Sequence, residues 1–212
     1  MDWVISHYRV LERLGGGGAG EVYKAEDVRL GRIVALKLLA GPATGLLDEA
    51  RAAASLSHPN VATVYDVGEA DGRPFIALEY VDGETLAARL SRGPLGVAEA
   101  LEVALQIAHA LEAAHARGLV HGDVTAANVV LGADGCAKVL DFGLSRRAEA
   151  SAVAAGTPGY LAPELLGGLP ADGRTDLFSL GVVLYEMVAG RRPFAREAWR
   201  RELLEGEPPP LA

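Results

Sequence analysis

Three oxygen-bearing side chains stand close together in the middle of the chain. Asp123 is followed five positions later by Asn128, and Asp141 comes next, directly before a Phe-Gly pair. Their surroundings predict that the three lie on two neighbouring turns. Carboxylate and amide oxygens are ligands that a hard cation such as Mg²⁺ prefers. The spacing therefore indicates a site that orients a hydroxyl group and holds Mg²⁺ against a polyphosphate.

A glycine-rich loop lies near the N-terminus, at residues 15–20 (Gly-Gly-Gly-Gly-Ala-Gly). Gly15, Gly17, Gly20 and Val22 fit the pattern G-x-G-x-x-G-x-V, in which residues without a Cβ let backbone N–H groups approach phosphate oxygens. A plain flexible hairpin loop is one alternative. A dinucleotide-binding fold is another, but it needs a helix directly after the glycines. β-type residues follow here, which favours a loop between two strands that covers phosphates.

Lys37 interrupts an apolar run at residues 33–39 that is predicted to form a strand. A cation that faces a half-buried site needs an anionic partner, because an unpaired buried charge is costly. The alternative is that Lys37 extends to solvent. The glycine loop upstream favours a phosphate partner over that alternative.

A further motif occupies residues 156–164 (Gly-Thr-Pro-Gly-Tyr-Leu-Ala-Pro-Glu), at a distance after Asp-Phe-Gly that a simple Pro/Gly loop does not explain. With residues 121–128 (His-Gly-Asp-Val-Thr-Ala-Ala-Asn) and the glycine loop, it makes the chain resemble the catalytic domain of bacterial serine/threonine protein kinases of the eukaryotic-like (Hanks) type. The resemblance implies an α+β, two-lobe protein-kinase-like fold. Its N-lobe, residues 1–82, would be a small antiparallel β lobe with one helix. Its C-lobe, residues 83–212, would be mainly helical and would lack its last helices.

The resemblance also implies a role for each motif residue, with ATP and Mg²⁺ as cofactors and a protein Ser or Thr as substrate. Asp123 would orient the substrate hydroxyl, while Asn128 and Asp141 would bind Mg²⁺. Lys37 would brace the α- and β-phosphates and be braced in turn by Glu49 from the next helix. The other implied nucleotide contacts are Gly15, Gly16, Gly17, Gly18, Ala19, Gly20, Val22 and Ala35, with backbone groups of the hinge residues Glu79 and Val81.

Three features depart from the family pattern. Gly122 stands where an Arg usually receives a phosphorylated activation loop, so activity is expected to be independent of loop phosphorylation. Thr125 replaces a lysine that usually touches the γ-phosphate and the catalytic Asp. Losing such a cation typically raises the activation free energy by about 2–4 kcal/mol. The family's later helices, one of which supplies an Arg to Glu164, do not follow Gly206 in this sequence. Glu164 is therefore expected to lack a partner.

Two long helices are predicted in the second half of the chain. The first covers residues 97–117, and the second covers residues 176–189 and is apolar on nearly all sides, so we expect it to be buried. By resemblance, Asp176 would brace the backbone of the catalytic loop, which is the motif at residues 121–128. His115 has no identifiable carboxylate partner and is expected to be an ordinary helix residue. One stripe of the first helix consists of Leu101, Leu105, Ala108, Leu111 and His115.

Composition narrows the function classes. The 212 residues carry a formal net charge of −8, with a pI near 5.2, which argues against a nucleic-acid-binding face. The single cysteine, Cys136, cannot form an internal disulfide and suits a reducing compartment. The N-terminus does not resemble a signal peptide, and no apolar run approaches the length of a membrane span. A cytoplasmic protein is expected, with its oligomeric state left open.

Two alternatives to a protein serine/threonine kinase remain open. Gly122, Thr125 and the missing helices would suit a pseudokinase that binds nucleotide and signals as a scaffold. The intact residues Lys37, Asp123, Asn128 and Asp141 oppose this alternative. A small-molecule kinase is the other, since His-Gly-Asp with Asn five residues later also occurs in aminoglycoside and choline kinases. Those enzymes lack the motif at residues 156–164, so we rank this alternative last.

Overall fold

The computed structural model describes residues 3–17, 20–40, 46–142, 157–194 and 208–210, with the side chains of residues 46–49 outside the described set. The chain divides into two compact units. The first comprises Met1–His58 and Ala62–Val81, and the second comprises Pro59–Val61 and Asp82–Ala212. Each unit has its own sheet.

The first unit is built on a six-stranded antiparallel sheet with the strand order β1-β2-β3-β4-β6-β5. Helix α1, Leu46–Ala54, belongs to the same unit and packs against β5. The strands are β1 (Val4–Ile5), β2 (Tyr8–Gly17), β3 (Gly20–Asp27), β4 (Arg32–Leu39), β5 (Val64–Ala70) and β6 (Arg73–Glu79).

Alternation of side chains explains how this sheet forms its core. In β3 every second residue from Tyr23 onward is buried, as the period of two in a strand requires. Ala25 and Leu36 are fully buried in one cluster with Tyr8 and Phe75. The hairpin between β5 and β6 turns through Asp71 (φ 51°) and Gly72 (φ 73°). Positive φ at both central residues matches the twist of the flanking strands, which is why Asp-Gly is favoured there.

The second unit is mainly helical and carries a small antiparallel sheet with the order β7-β8-β9. A 3₁₀ turn at Ala126–Asn128 leads directly into β8. The strands are β7 (Gly83–Thr85), β8 (Val129–Gly132) and β9 (Ala137–Val139), and the helices are α2 (Leu86–Leu90), α3 (Val97–His115), α4 (Pro163–Leu166) and α5 (Gly173–Ala189). None of the helices in the described part of the chain is both long enough and apolar enough to cross a bilayer.

Helix α3 packs against α5 and β9 through a face that the sequence did not single out. The predicted stripe is wrong at its N-terminal end, because Leu101 and Leu105 are 55% and 57% exposed. Small side chains allow closer approach of neighbouring elements, and alanine dominates the buried face. The buried residues of α3 are Ala100, Val103, Ala104, Ile107, Ala110, Leu111 and Ala114.

Helix α5 has well-defined ends. Asp172 accepts a hydrogen bond from the N–H of Arg174 and forms a capping box with Thr175. Gly190 ends the helix in the left-handed region at φ 67°, as glycine at this position commonly does. The prediction of a helix buried on all sides is wrong, since Leu177 is 56% exposed.

Candidate active site

The carboxylate of Asp123 is held from both sides within the second unit. The amide Nδ2 of Asn128 donates to the Asp123 main-chain oxygen at 2.8 Å and to Oδ2 at 3.2 Å. Thr157 donates to the other oxygen, Oδ1, from its hydroxyl at 2.8 Å and from its main-chain N–H at 3.2 Å. The structure thus brings together two residues that the sequence paired and adds Thr157. The carboxylate is fixed in orientation, which a group that positions a substrate hydroxyl requires.

Asp176 supports the backbone on which Asp123 stands. It is fully buried on α5 and accepts hydrogen bonds from the main-chain N–H groups of His121, at 2.9 Å, and Gly122, at 2.8 Å. This confirms the predicted brace. A third contact joins Asp176 Oδ2 to Nε2 of His115 at 2.7 Å. The expectation that His115 lacks a carboxylate partner was therefore wrong, because that partner lies 61 residues away in the sequence.

His121 connects the catalytic loop to the strand that precedes Asp141. Its ring is buried, with Nε2 at 2.7 Å from the main-chain oxygen of Leu140, while Nδ1 accepts the N–H of Asp123 at 3.2 Å. The proton therefore resides on Nε2. No role for His121 was predicted from the sequence. Its position two residues before Asp123 was the one feature that could have indicated a supporting role.

Asp141 follows β9 and is placed by contacts to the same loop. The N–H of Leu140 donates to the main-chain oxygen of Asn128 at 2.9 Å. This bond places the backbone just before Asp141 next to the loop at residues 121–128. Asp141 itself has φ 60°, a left-handed conformation that Asp tolerates better than most residues. Such strain is characteristic of functional positions. The residue Gly143 of the Asp-Phe-Gly motif lies outside the described residues.

The donor set around Asn128 fits a hard cation. Because Nδ2 donates to Asp123, the amide oxygen Oδ1 is the atom suited to a metal. The sequence predicts the Asp141 carboxylate as the second ligand, and these two oxygen donors are of the type that binds Mg²⁺ with the help of substrate phosphates. In the described part of the chain, no group of three or more His, Cys, Asp or Glu side chains could hold a metal by itself.

Thr125 and Glu164 both form hydrogen bonds within the second unit. Thr125 is buried, and its main-chain oxygen accepts the N–H of Asn128 at 3.0 Å to close the 3₁₀ turn. Glu164 accepts a hydrogen bond from the hydroxyl of Thr175 at 2.9 Å. The expectation that Glu164 has no partner was therefore wrong, because the first turn of α5 supplies a donor.

Lys37 lies in the first unit on the same face of the sheet as two other predicted nucleotide contacts. It is 6% exposed on β4 and is paired directly with Val22 on β3. Ala35, two residues earlier, shares that face because side chains alternate along a strand, and it is paired with Leu78 on β6. The side chain of Glu49 lies outside the described residues. Its pairing with Lys37 remains a prediction.

The glycine-rich loop divides into structural and open positions. Gly17 pairs with Gly20 where β2 turns into β3, and Gly18 and Ala19 lie outside the described residues. Gly20 has φ 133°, and a Cβ there would lie 2.0 Å from the main-chain oxygen of Leu38. Gly15 and Gly17 would meet nothing within 4 Å. Glycine is thus required at Gly20 by the fold, whereas Gly15 and Gly17 leave space for a ligand. At Gly16 a Cβ would lie 2.8 Å from a nitrogen of the Arg13 side chain.

The segment predicted as the hinge ends the first unit. The N–H of Glu79 donates to the main-chain oxygen of Thr63 at 2.8 Å, and Glu79 Oε2 accepts the N–H of Thr63 at 3.2 Å. Val81 is the last residue of the unit. The predicted adenine contacts through these backbone groups remain predictions.

Comparisons with known proteins identify the family of the chain. The protein kinase domain family matches residues 8–205. The chain is similar to the serine/threonine-protein kinase Pkn1 of Myxococcus xanthus (37% identical, covering 96% of this chain and 32% of the relative). It is also similar to PknA of Mycobacterium tuberculosis (39% identical, covering 96% and 52%) and PknB of Mycobacterium leprae (40% identical, covering 88% and 33%). The chain therefore spans about a third to a half of the length of these relatives.

A solved structure confirms the predicted fold class. The kinase domain of Mycobacterium tuberculosis PknI matches with a TM-score of 0.79 at 33% identity, covering 95% of this chain and 85% of that one. The β-rich and the mainly helical unit are those of the two-lobe protein kinase fold. The chain belongs to the protein kinase domain family and is related to bacterial serine/threonine kinases.

Proposed function

We propose that this chain transfers the γ-phosphate of ATP to Ser or Thr hydroxyls of proteins. The observation that carries the proposal is the doubly held carboxylate of Asp123, with Asn128 on one oxygen and Thr157 on the other. A carboxylate fixed in this way can accept a hydrogen bond from a substrate hydroxyl and orient it for attack. Bacterial relatives named as serine/threonine-protein kinases support the choice of substrate class.

The remaining roles follow from positioning and charge. Asn128 and Asp141 would hold Mg²⁺, which supplies charge neutralisation at the ATP phosphates when it is bound. Lys37 would contact the α- and β-phosphates, with Glu49 as its proposed partner. The glycine loop at residues 15–20 would cover the phosphates and limit access of water.

Adenine and ribose recognition would come from the first unit. Val22 and Ala35 share a face with Lys37, and together they would form the apolar side of the nucleotide site. Backbone groups of Glu79 and Val81 would bind the adenine edge. We place this reaction in the cytoplasm, where ATP is abundant, and the free thiol of Cys136 is consistent with a reducing compartment.

Thr125 bears on whether the chain is an active kinase or a pseudokinase scaffold. It is uncharged and buried within the loop at residues 121–128. The cation that usually stands here, where charge develops during transfer, is therefore absent, and losing such a cation typically lowers the rate about 10²- to 10³-fold. The other predicted catalytic residues are present. We therefore propose a slow or compensated kinase, with a nucleotide-binding pseudokinase as the second candidate.

A transfer assay separates these candidates. γ-Labelled ATP, Mg²⁺ and a generic protein substrate are incubated with the wild-type chain, Asp141→Asn and Thr125→Lys. Label on protein that disappears in Asp141→Asn supports the proposed kinase, and faster transfer by Thr125→Lys supports the assigned role of position 125. Nucleotide binding without any transfer by wild type would contradict the proposal and favour the pseudokinase. Label on aminoglycosides or choline alone would favour a small-molecule kinase.

A further inference from the structure

Arg192 lies three residues beyond the end of α5 and contacts the segment at residues 157–160, which contains Thr157. Its Nη1 donates to the main-chain oxygen of Pro158 at 2.7 Å. Its guanidinium lies 5.3 Å from the ring centroid of Tyr160 and 4.0 Å from a carboxylate oxygen of Glu186. The side chains of Arg192 and Glu186 are only 20% and 18% exposed, so water screens this cluster less than an open surface pair.

Tyr160 connects the same segment to α5 on the other side. Its hydroxyl donates to Glu186 Oε2, and its main-chain oxygen accepts the hydroxyl of Ser179 at 2.8 Å. Burial, followed by the bond to Glu186, raises the pKa of Tyr160 well above its usual range. The phenol therefore stays a donor at physiological pH, and Glu186 is shared between Tyr160 and Arg192.

Gly159 lies between Pro158 and Tyr160, and its missing side chain leaves room for the Arg192 guanidinium. It adopts φ 88°, and a Cβ at this position would lie 2.8 Å from Nη1 of Arg192. The guanidinium thus occupies the space beside a residue that has no side chain. A lysine could provide the charge at this position, but it lacks the planar fork that serves Pro158 and Glu186 together.

From this arrangement we infer that Arg192 is a positioning residue for phosphoryl transfer, an inference that rests on the proposed function. By fixing the carbonyl of Pro158, it holds the neighbouring Thr157, whose hydroxyl and N–H orient Asp123. The anchor consists of the Arg192 guanidinium, the Pro158 carbonyl, the Glu186 carboxylate and the Tyr160 hydroxyl, and none of these groups is a phosphate. It therefore keeps the segment in place without a phosphate, in a chain whose Gly122 cannot receive one.

The test compares Arg192→Ala and Arg192→Lys with the adjacent control Arg191→Ala. Arg191 is exposed, and its guanidinium lies 5.7 Å from the Tyr185 ring centroid. Arg192→Ala is expected to lower kcat about 10- to 100-fold, because small misplacements of catalytic groups cost rates of this size. The KM for ATP is expected to change less than about twofold, since the residues that Arg192 contacts in the described structure, Pro158, Tyr160 and Glu186, are not among the predicted ATP-binding residues. Arg192→Lys should recover only part of kcat, and Arg191→Ala should match wild type.

Amide hydrogen exchange provides a readout that does not need transfer activity. In Arg192→Ala the amides of Thr157, Gly159 and Tyr160 are expected to exchange at least about tenfold faster, while the amides of α3 are unchanged. Wild-type exchange and wild-type kcat in Arg192→Ala would overturn the inference, as would an equal loss in Arg191→Ala. If the wild-type chain transfers no phosphate, the proposed function fails separately, and the exchange rates alone decide whether Arg192 anchors this segment.

Discussion

The hydroxyl of Thr157 donates a hydrogen bond to Oδ1 of Asp123 at 2.8 Å, across 34 residues of sequence. Asn128 binds the other carboxylate oxygen. The two oxygens of the proposed base are thereby held by separate parts of the second unit, one next to β8 and one before α4. Correct orientation of Asp123 depends on both parts being folded.

Replacing Thr157 tests this dependence. Thr157→Val keeps the shape and the main-chain N–H but removes the hydroxyl, so kcat is expected to fall about 10- to 100-fold through loss of orientation. Thr157→Ser retains the hydroxyl and serves as the matched control, with kcat expected within about threefold of wild type. Steady-state kinetics with a protein substrate measure both. Full activity of Thr157→Val would show that the bond to Asp123 has no part in transfer.

Loss of Asp176 is expected to destabilise the second unit. Asp176→Ala leaves three donors, two of them main-chain N–H groups, without their buried acceptor, which should cost about 3–5 kcal/mol of unfolding free energy. Asp172→Ala removes a carboxylate from the same helix at its exposed cap and should cost only about 1 kcal/mol. Urea unfolding followed by circular dichroism measures both. Similar losses in the two variants would contradict the assigned support of the catalytic loop.

Two glycines of the loop are expected to respond differently to a methyl group. Gly20→Ala places a Cβ against Leu38 at a φ that side chains rarely adopt, and should lower the unfolding free energy by about 2–4 kcal/mol. Gly17→Ala meets open space and should change stability by less than about 1 kcal/mol. Because Gly17→Ala should remain folded, its nucleotide affinity, measured by titration, then shows whether a methyl group here hinders the approach of the phosphates. Equal destabilisation of both variants would contradict this division.

Stability at high pH is expected to depend on two buried phenols. Desolvation, followed by hydrogen bonds to Asp66 and Glu186 respectively, raises the pKa values of Tyr8 and Tyr160 above the ordinary value of 10.0. The folded state then keeps protons that the unfolded state releases, so stability is full below pH 10 and falls above it, by at most about 1.4 kcal/mol per pH unit for each phenol. Urea unfolding at pH 9 to 11 should show a shallower decline in Tyr8→Phe, and likewise in Tyr160→Phe. An unchanged slope in both variants would contradict the assignment.

Activity is expected to survive removal of phosphate from the chain. Gly122 offers no side chain to pair with a phosphorylated loop, and its N–H is already bound to Asp176. Treatment with a phosphatase, verified by mass spectrometry, should leave kcat within about twofold of the untreated protein. Loss of transfer on dephosphorylation would show that another residue receives the phosphate.

Local sequence patterns determined the type of most elements. The glycine loop between β-type residues predicted the strands that became β2 and β3, the apolar run at residues 33–39 predicted β4, and the helix predicted from Val97 became α3. Strand β5 begins at Val64, whereas the nearby Val61 forms an isolated bridge with Val139 in the second unit. Strand limits depend on such partners as well as on the residues themselves.

Motif types and spacing predicted that Asp123, Asn128, Asp141 and Lys37 form a functional set. Only the tertiary structure showed the contacts between distant residues around Asp123: His115 with Asp176, His121 with Leu140, Thr157 with Asp123 and Arg192 with Pro158. It also corrected the N-terminal part of the expected face of α3, where the helix buries Ala100 and Ala104 and leaves Leu101 and Leu105 exposed. The physical reason is the same in each case. Residue type and periodicity fix what a segment can form, whereas a contact between distant segments depends on shape and on donors that no local pattern records.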